Sequence, residues 1–229
     1  MTDRDDSRVG RSLASRPGLA ALCSAAASNA GVGSVTVVVA GRQNSEGAVS
    51  HTDADASQAH ALEFTLGEGP TTDALKSGTL ALACDVTTAT VRWPQFSPAA
   101  QRIGVRCISA VPLRIGENVL GSLTFYARDF EMVERMQRID AYAIGESTLA
   151  ALLDNSNVID IAIDQPDAAA DGSTTYRAVV HQATGMVAAQ LGCDMAEALL
   201  RLRAYAFAQN ESVEQIARAV VERRMKVSL

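Results

Sequence analysis

Three consecutive helical patterns near the end of the chain constrain its fold more than any other feature. In residues 175–191 apolar side chains recur at three- and four-residue steps, and Gly192 follows as a helix stop. Asp194 and Ser212 are each followed three residues later by Glu or Gln, the spacing at which a capped helix begins. Residues 174–229 are therefore predicted to form a unit of three short helices.

The outward face of the first predicted helix carries cations beside very small side chains. Its residues follow one another at three- and four-residue steps, which places them on one surface: Arg177, His181, Thr184, Gly185 and Ala188. A glycine in the middle of a helix costs about 1 kcal/mol against alanine, so Gly185 indicates close approach of another group to the backbone. That group is either a ligand or a packed helix, and the pattern alone leaves both open.

Charge is distributed unevenly along the chain. From Ser173 onward seven Lys and Arg stand against five Asp and Glu, a net charge of +2. The preceding residues carry thirteen basic and twenty-one acidic side chains, a net charge of −8. If the chain has a polyanionic partner, the C-terminal end is the expected place for it.

This C-terminal segment resembles the ANTAR domain, a small helical RNA-binding module of bacterial transcription antitermination regulators. The matching stretches are QATGM at 182–186, EALLRLRAYAFAQN at 197–210 and VEQIARAVVERR at 213–224. The resemblance implies recognition of paired RNA hairpins with small loops, one hairpin for each module. Thr184 stands where many members have lysine, which removes an expected phosphate contact.

The surface expected to bind RNA combines the outward face of the first helix with two residues of the second. Its candidate residues are Arg177, His181, Gln182, Thr184, Gly185, Ala188, Arg203 and Tyr205. Small side chains would let unstacked bases lie against the helix, and arginines would contact phosphates. Tyr205 either stacks on a base or fills the core, and its place on the apolar stripe favours the core.

The first two thirds of the chain alternate short strands and helices, which predicts an α+β fold with an antiparallel sheet sandwiched by helices. A helix is predicted over residues 11–29, begun or interrupted at Pro17. The apolar run SVTVVVA at 34–40, bounded by glycines, predicts a central strand. Further strands are predicted at 48–53, 79–86, 107–115 and 118–127, the last two joined by a tight hairpin. One long helix is predicted over 129–154.

This part of the chain resembles a GAF domain, a widespread small-molecule-sensing fold, in the form commonly placed before an ANTAR domain. The matching residues are LGEGP at 66–70, Asp73, Ala74, Asp85, WPQF at 93–96, and the stretches 104–112 and 121–126. The resemblance implies a small-molecule effector without identifying it, and no cofactor is evident. GEGP lacks the GK[ST] ending of a phosphate loop, so Glu68 and Asp73 are interpreted as turn or helix-cap residues.

These resemblances divide the chain into a GAF-like sensor and dimerisation domain at 11–154, a linker at 155–173 and an ANTAR domain at 174–229. The linker is rich in aspartate and contains no Lys or Arg, which suits a solvated connection. The long helix, paired with the first helix, offers a second apolar face to another copy of the chain. A parallel homodimer is predicted, although packing on the sheet alone would also explain that face.

Other functional classes find little support in the residues. The four cysteines show no CxxC or Cys/His spacing, so neither a metal site nor a disulfide framework is predicted, and Cys84 and Cys107 are expected to be buried structural residues. His51 and His60 lie in a polar stretch and are expected to be solvated. An enzyme is not expected, because no catalytic constellation is visible. The chain has no long apolar run, which predicts a cytoplasmic protein without a membrane span.

The main alternative is a ligand-sensing dimeric regulator whose helical tail binds DNA or a protein partner. Three helices can form a helix-turn-helix unit. The face opposite the predicted core, however, is rich in Ala and Gly and poor in the long polar side chains that read a major groove. RNA is therefore favoured over DNA.

Overall fold

The computed structural model describes residues 18–41, 46–154, 174–209 and 211–226, with the side chains of 174–178 excepted. These residues form an α+β domain followed by a C-terminal module of three helices, which confirms the predicted fold class. Pro17 and the linker predicted at 155–173 lie outside the described residues. The predicted domain boundaries stay predictions.

The five strands follow the predicted order, with shifted bounds at the two shortest, whereas the helix at Ala54–Leu66 was not predicted. The strands are β1 (Ser34–Ala40), β2 (Glu46–His51), β3 (Ala81–Ala83), β4 (Cys107–Ile115) and β5 (Asn118–Ala127). The helices of the α+β domain are α1 (Leu19–Ala30), α2 (Ala54–Leu66), α3 (Pro70–Ser77), α4 (Phe96–Arg102), α5 (Phe130–Arg138) and α6 (Ala141–Leu153). A 3-10 helix at Val86–Val91 precedes α4, and the C-terminal module contains α7 (Thr174–Leu191), α8 (Met195–Gln209) and α9 (Val213–Val221).

The strands form one antiparallel sheet in the order β2-β1-β5-β4-β3. β1 lies between β2 and β5 and is buried on both faces except at Ala40, which confirms its prediction as a central strand. β4 and β5 form the predicted hairpin, and Gly116 in its turn has a φ of +57° that favours glycine. Gly121 meets a different constraint, because a Cβ there would collide with the carbonyl oxygen of Val38 on the neighbouring strand.

Helices cover both faces of the sheet. On one face α1, α5 and α6 pack on alternate residues of β1, such as Val35 and Val37. On the other face α2, α3 and α4 enclose the large side chains Trp93, Phe96 and Tyr126. Successive side chains of a strand point to opposite faces, so each strand contributes to both cores. The domain is therefore a sheet sandwiched by helices, as predicted.

The single helix predicted over 129–154 is wrong, because two helices, α5 and α6, occupy this stretch. Ile139 has extended backbone with φ −75° and ψ 145°, and the Asp140 side chain caps α6 by accepting a hydrogen bond from the N–H of Ala143. Ile139 packs against the same core as both helices. α5 and α6 cover the same sheet face, so the apolar spacing continues from one helix into the next. The periodicity therefore did not reveal the break between them.

The C-terminal module begins and ends its helices at the predicted signals. Gly192 follows α7 with a φ of +66°, and Asp194 accepts a hydrogen bond of 2.8 Å from the N–H of Glu197. Ser212 and Gln215 form a reciprocal capping box at the start of α9. The core between the helices consists of small and aliphatic side chains: Val180, Ala183, Val187, Ala198, Leu202, Ala206, Val213, Ile216, Ala217 and Val220.

Candidate nucleic-acid interface

The outer face of α7 is open around Gly185. Apart from the adjoining residues and the backbone of α7 itself, a Cβ added to this glycine meets no described atom within 4 Å. His181 and Gln182 are exposed beside it, and Ala188 is half-buried at its edge. Among the described residues no helix packs on Gly185, so the free space beside the backbone is available to a ligand. His181, Gln182, Gly185 and Ala188 are called the outer face below.

Thr184 does not belong to the outer face, and its predicted place there is wrong. Its side chain is buried, and Oγ1 donates a hydrogen bond of 2.7 Å to the carbonyl oxygen of Val180. Thr184 lies on the same side of α7 as the core residues Val180 and Val187. Thr184, at the position where lysine is common, therefore contributes to the packed core of the module.

Arg203, a candidate on α8, is engaged by the α+β domain. Its guanidinium carbon lies 5.0 Å from the ring centroid of Phe64, a cation–π distance. Its Nη1 would lie 3.1 Å from a Cβ placed on Gly67, at the end of α2. Tyr205 is half-buried and packs against the core of the C-terminal module, the alternative that its apolar stripe favoured. The RNA roles of Arg203 and Tyr205 stay predictions.

Phe64 joins the two domains. It belongs to α2, yet it is only 9% exposed and packs within the apolar core of the C-terminal module. The next residue, Thr65, accepts a hydrogen bond of 3.4 Å on Oγ1 from the backbone N–H of Val213. Val213 opens α9, where an N–H has no partner within its own helix. The sequence did not predict this contact, because Phe64 and its partners in the C-terminal module are distant in the chain.

The remaining cations of the module are distributed around it. Arg177 lies in α7, but its side chain is outside the described residues. Arg201 and Arg218 bind glutamates one turn earlier, Glu197 at 3.1 Å and Glu214 at 2.6 Å. Exposed ion pairs of this kind contribute about 0–1 kcal/mol, so a polyanion can compete for both guanidinium groups. Three further cations are exposed after α9: Arg223, Arg224 and Lys226.

Residues 171–221 match the family model of the ANTAR domain. The C-terminal module is an ANTAR domain. The match covers all three helices, from α7 to the end of α9. The prediction of an ANTAR domain in this segment is confirmed.

Solved structures that resemble this chain include the following two. GAF3 from Slr1393 of Synechocystis sp. PCC6803 is 16% identical with a TM-score of 0.38, covering 61% of this chain and 96% of that chain. Escherichia coli SdiA is 15% identical with a TM-score of 0.45, covering 89% of this chain and 90% of that chain. At these TM-scores neither likeness identifies the α+β domain, whose GAF resemblance rests on its sequence motifs. No curated protein matches the chain in sequence.

The GAF-like motifs contact one another in the α+β domain. Glu68 caps α4, because its Oε1 accepts hydrogen bonds of 2.6 and 2.8 Å from the backbone N–H groups where that helix begins. Asp73 accepts a hydrogen bond of 2.8 Å from Arg92 Nε and one of 3.0 Å from the indole N–H of buried Trp93. The interpretation of Glu68 as a cap is confirmed. Asp73 instead links α3 to the tryptophan of the WPQF stretch.

A buried carboxyl group lies beneath the same motif. Glu63 on α2 accepts hydrogen bonds from the N–H of Thr71 at 2.7 Å, the hydroxyl of Thr71 at 3.0 Å and the hydroxyl of Tyr126 at 3.0 Å. Burial disfavours the charged form and raises the pKa of Glu63 to about 8. Gly69 has a φ of +143°, and a Cβ there would lie 2.5 Å from the Glu63 carboxyl oxygen. The motif glycine therefore makes room for the buried acid.

The prediction that His51 and His60 are solvated is wrong. His60 is 1% exposed, and its Nε2 lies 3.2 Å from a carboxylate oxygen of Glu46. His51 is half-buried, with Nδ1 3.0 Å from the hydroxyl of Thr36 and its ring centroid 5.2 Å from that of His60. These partners come from different elements, so the polar local sequence did not reveal the burial.

Metal-ligand clusters and possible membrane-spanning helices were both sought in the described part of the chain. No group of three or more His, Cys, Asp or Glu within it could hold a metal ion. None of its helices is long and apolar enough to cross a membrane. Cys107 is buried as predicted, but the predicted burial of Cys84 is wrong because that thiol is exposed.

Proposed function

We propose that this chain is a transcription antitermination regulator whose ANTAR domain binds hairpin loops of nascent RNA under the control of the GAF-like α+β domain. The observation that carries the proposal is the open space at Gly185, on a helix of a module from an RNA-binding family. A base can reach the α7 backbone there without meeting a Cβ or a packed helix. The outer face is the proposed contact with the loop.

The chemistry of the outer face suits unpaired bases. Proteins recognise loop bases by close approach and by hydrogen bonds to their edges. Gln182 offers both a donor and an acceptor, His181 offers an imidazole, and Gly185 leaves the space between them open. Phosphate contacts would come from Arg201 and Arg218, whose glutamate partners are at the surface. This combination favours a hairpin loop over a DNA major groove, which is read by longer polar side chains.

The docking of α2 supports a link between sensing and RNA binding. Arg203 lies over Phe64, and it is also a candidate for RNA contact. RNA and α2 would therefore compete for the same guanidinium group. An effector that displaces α2 would release Arg203 and strengthen RNA binding.

A groove at the domain junction offers a place for a small-molecule effector. It has a volume of about 290 Å³ and lies between α2, α4 and α8. Its apolar lining includes Leu62, Leu66, Ala99 and Phe207. A molecule bound in this groove would contact both domains and would change the stability of their docking.

Recognition of two paired hairpins requires two modules, so the proposal includes a homodimer. α1 and α6 pack on the same face of the sheet. Tyr142 and Leu153 on α6 are 52% and 41% exposed. Large apolar side chains on an outward helix surface are consistent with an isologous contact to a second copy.

The test is electrophoretic binding of the full chain to a leader RNA with two hairpins. The same RNA with altered loop bases and the same sequence as duplex DNA are the comparison ligands. We expect a complex with the first RNA and weak binding to the other two. Equal affinity for duplex DNA and hairpin RNA would overturn the proposal in favour of a DNA-binding tail.

Gly185→Leu tests the outer face directly. Leucine has a helix propensity about 1 kcal/mol better than glycine, and its Cβ meets open space. The melting temperature should therefore be preserved or raised while hairpin binding is lost. Ala196→Leu adds the same side chain at an exposed position of α8 and should bind RNA like the parent. A folded Gly185→Leu variant with the affinity of the parent would show that the chosen face is wrong.

A further inference from the structure

Two cysteines that are distant in sequence meet at the edge of the sheet. β3 pairs with β4 in antiparallel register, with Ala83 opposite Ile108. β3 ends at Ala83, and extending its register by one residue places Cys84, in the bend that follows, opposite Cys107, the first residue of β4. Directly opposed side chains share one face of a sheet, with Cβ atoms about 5 Å apart. A disulfide needs Cβ atoms about 4 Å apart. A small movement at the end of the short edge strand would bring the two cysteines to that distance.

The two thiols line the same cavity but differ in their surroundings. The pKa of Cys107 is raised to about 12, mainly by burial and further by a hydrogen bond and charge interaction with the Cys84 thiol. Cys84 is exposed, whereas Cys107 is buried. Both line a cavity of about 390 Å³ between the sheet edge and the junction of α5 and α6, together with Leu82, Ser109 and Tyr142. A solute can therefore reach one thiol while the other is held beside it.

We propose that Cys84 and Cys107 form a redox-active dithiol that a hydroperoxide oxidises to an intramolecular disulfide. The Cys84 sulfur attacks the outer peroxide oxygen; the O–O bond breaks, an alcohol or water leaves with the thiol proton, and a sulfenic acid forms. The Cys107 sulfur then attacks the Cys84 sulfur; the S–O bond breaks, and water leaves with the Cys107 proton. The two sulfurs lose two electrons, which reduce the peroxide bond. A dithiol reductant reverses the change by exchange.

The other cysteines provide internal references for selectivity. Cys23 is buried under α1 and donates a hydrogen bond of 3.2 Å to the carbonyl oxygen of Val35. Cys193 is half-buried between α7 and α8 of the ANTAR domain. Neither lines the cavity beside Cys84 and Cys107. Oxidation selective for the proposed pair should leave both reference thiols reduced.

The disulfide would tie the edge strand β3 to β4 beside the junction of α5 and α6. Oxidation would therefore change the α+β domain at a position outside the ANTAR domain. The site is defined by thiol geometry and does not depend on the proposed RNA function. Peroxide sensing would give the GAF-like domain an input of its own.

The experiment treats the full chain with hydrogen peroxide, blocks remaining thiols by alkylation and digests it with trypsin without reductant. Cleavage after Arg92 and Arg106 places Cys84 and Cys107 in separate peptides. We expect a linked pair of these peptides that is lighter by two hydrogen atoms than their sum and that reductant separates. Phenylarsine oxide, which bridges neighbouring thiols, should bind the reduced chain in one equivalent.

Cys84→Ser and Cys193→Ser are the matched variants. Cys84 is exposed, so its replacement should preserve the fold, as checked by the fluorescence of buried Trp93. It should abolish both the linked peptide and the arsenical capture, whereas Cys193→Ser should retain both.

Three results would overturn the dithiol proposal. These are over-oxidation of Cys84 with Cys107 still reduced in the parent, arsenical capture that survives Cys84→Ser, and equal oxidation of Cys23 or Cys193. All readouts are made without RNA. A failure of the dithiol proposal is therefore distinguishable from a failure of the RNA-binding proposal.

Discussion

Replacing Glu63 by Gln should flatten the pH dependence of the free energy of unfolding of the α+β domain. Glu63 is fully buried, and desolvation raises its pKa from 4.5 to about 8. The folded chain therefore holds a proton here at pH values where the unfolded chain releases it. Glutamine keeps the shape of the side chain but does not titrate, so the variant lacks this proton linkage.

The direction of the effect follows from the protons bound in each state. Below pH 4.5 the carboxyl is protonated in both states, and the group contributes no pH dependence. Between pH 4.5 and about 8 the folded state binds the extra proton, so stability falls as pH rises. The folding equilibrium constant should fall about tenfold per pH unit, on the order of 1 kcal/mol. Above the folded-state pKa the decline ends.

Trp93 supplies the assay. It is the only tryptophan of the chain, and it is buried on the sheet face that α2 covers, so its fluorescence reports unfolding of this domain. Urea titrations at several pH values between 4.5 and 8 should give a steeper loss of stability for the parent than for Glu63→Gln. Glu117→Gln, exposed in the hairpin turn, is the control and should keep the parent slope. Equal slopes for parent and Glu63→Gln would refute the buried, protonated carboxyl.

Phe64→Ala should weaken the docking of α2 on the ANTAR domain and raise hairpin affinity, because it removes the ring beneath Arg203. Calorimetry should show a loss of about 3 kcal/mol for the buried ring, and unchanged RNA affinity would contradict the competition. Asp73→Ala should leave the Trp93 indole N–H without its acceptor and cost about 1–3 kcal/mol, measured as a lower urea midpoint; the same midpoint as the parent would count against the link. Tyr142→Lys should yield a monomer in light scattering, whereas a persisting dimer would place the interface elsewhere.

Local signals determined the element order and the helix boundaries of the ANTAR domain. Asp194 binds an N–H three residues away, and Ser212 does the same within its capping box. Such contacts lie entirely within a few consecutive residues, so the sequence contains both partners. The apolar run at 34–40 likewise favoured β1 as a central strand, because strands buried on both faces have nearly continuous apolar sequences. The ANTAR segment was found from local motifs for the same reason.

Tertiary structure alone decided which of the candidate side chains are exposed and which are covered. Helical spacing predicts which residues share one side of a helix, but it does not predict which side a neighbouring helix covers. Thr184 therefore proved to be buried in the module, and Arg203 proved to lie on Phe64 of the other domain. The carboxylate beside His60 belongs to Glu46 on β2, and Cys84 shares a cavity with Cys107 of β4. Each of these partners is distant in the chain, and the contact exists only after the helices and strands have packed.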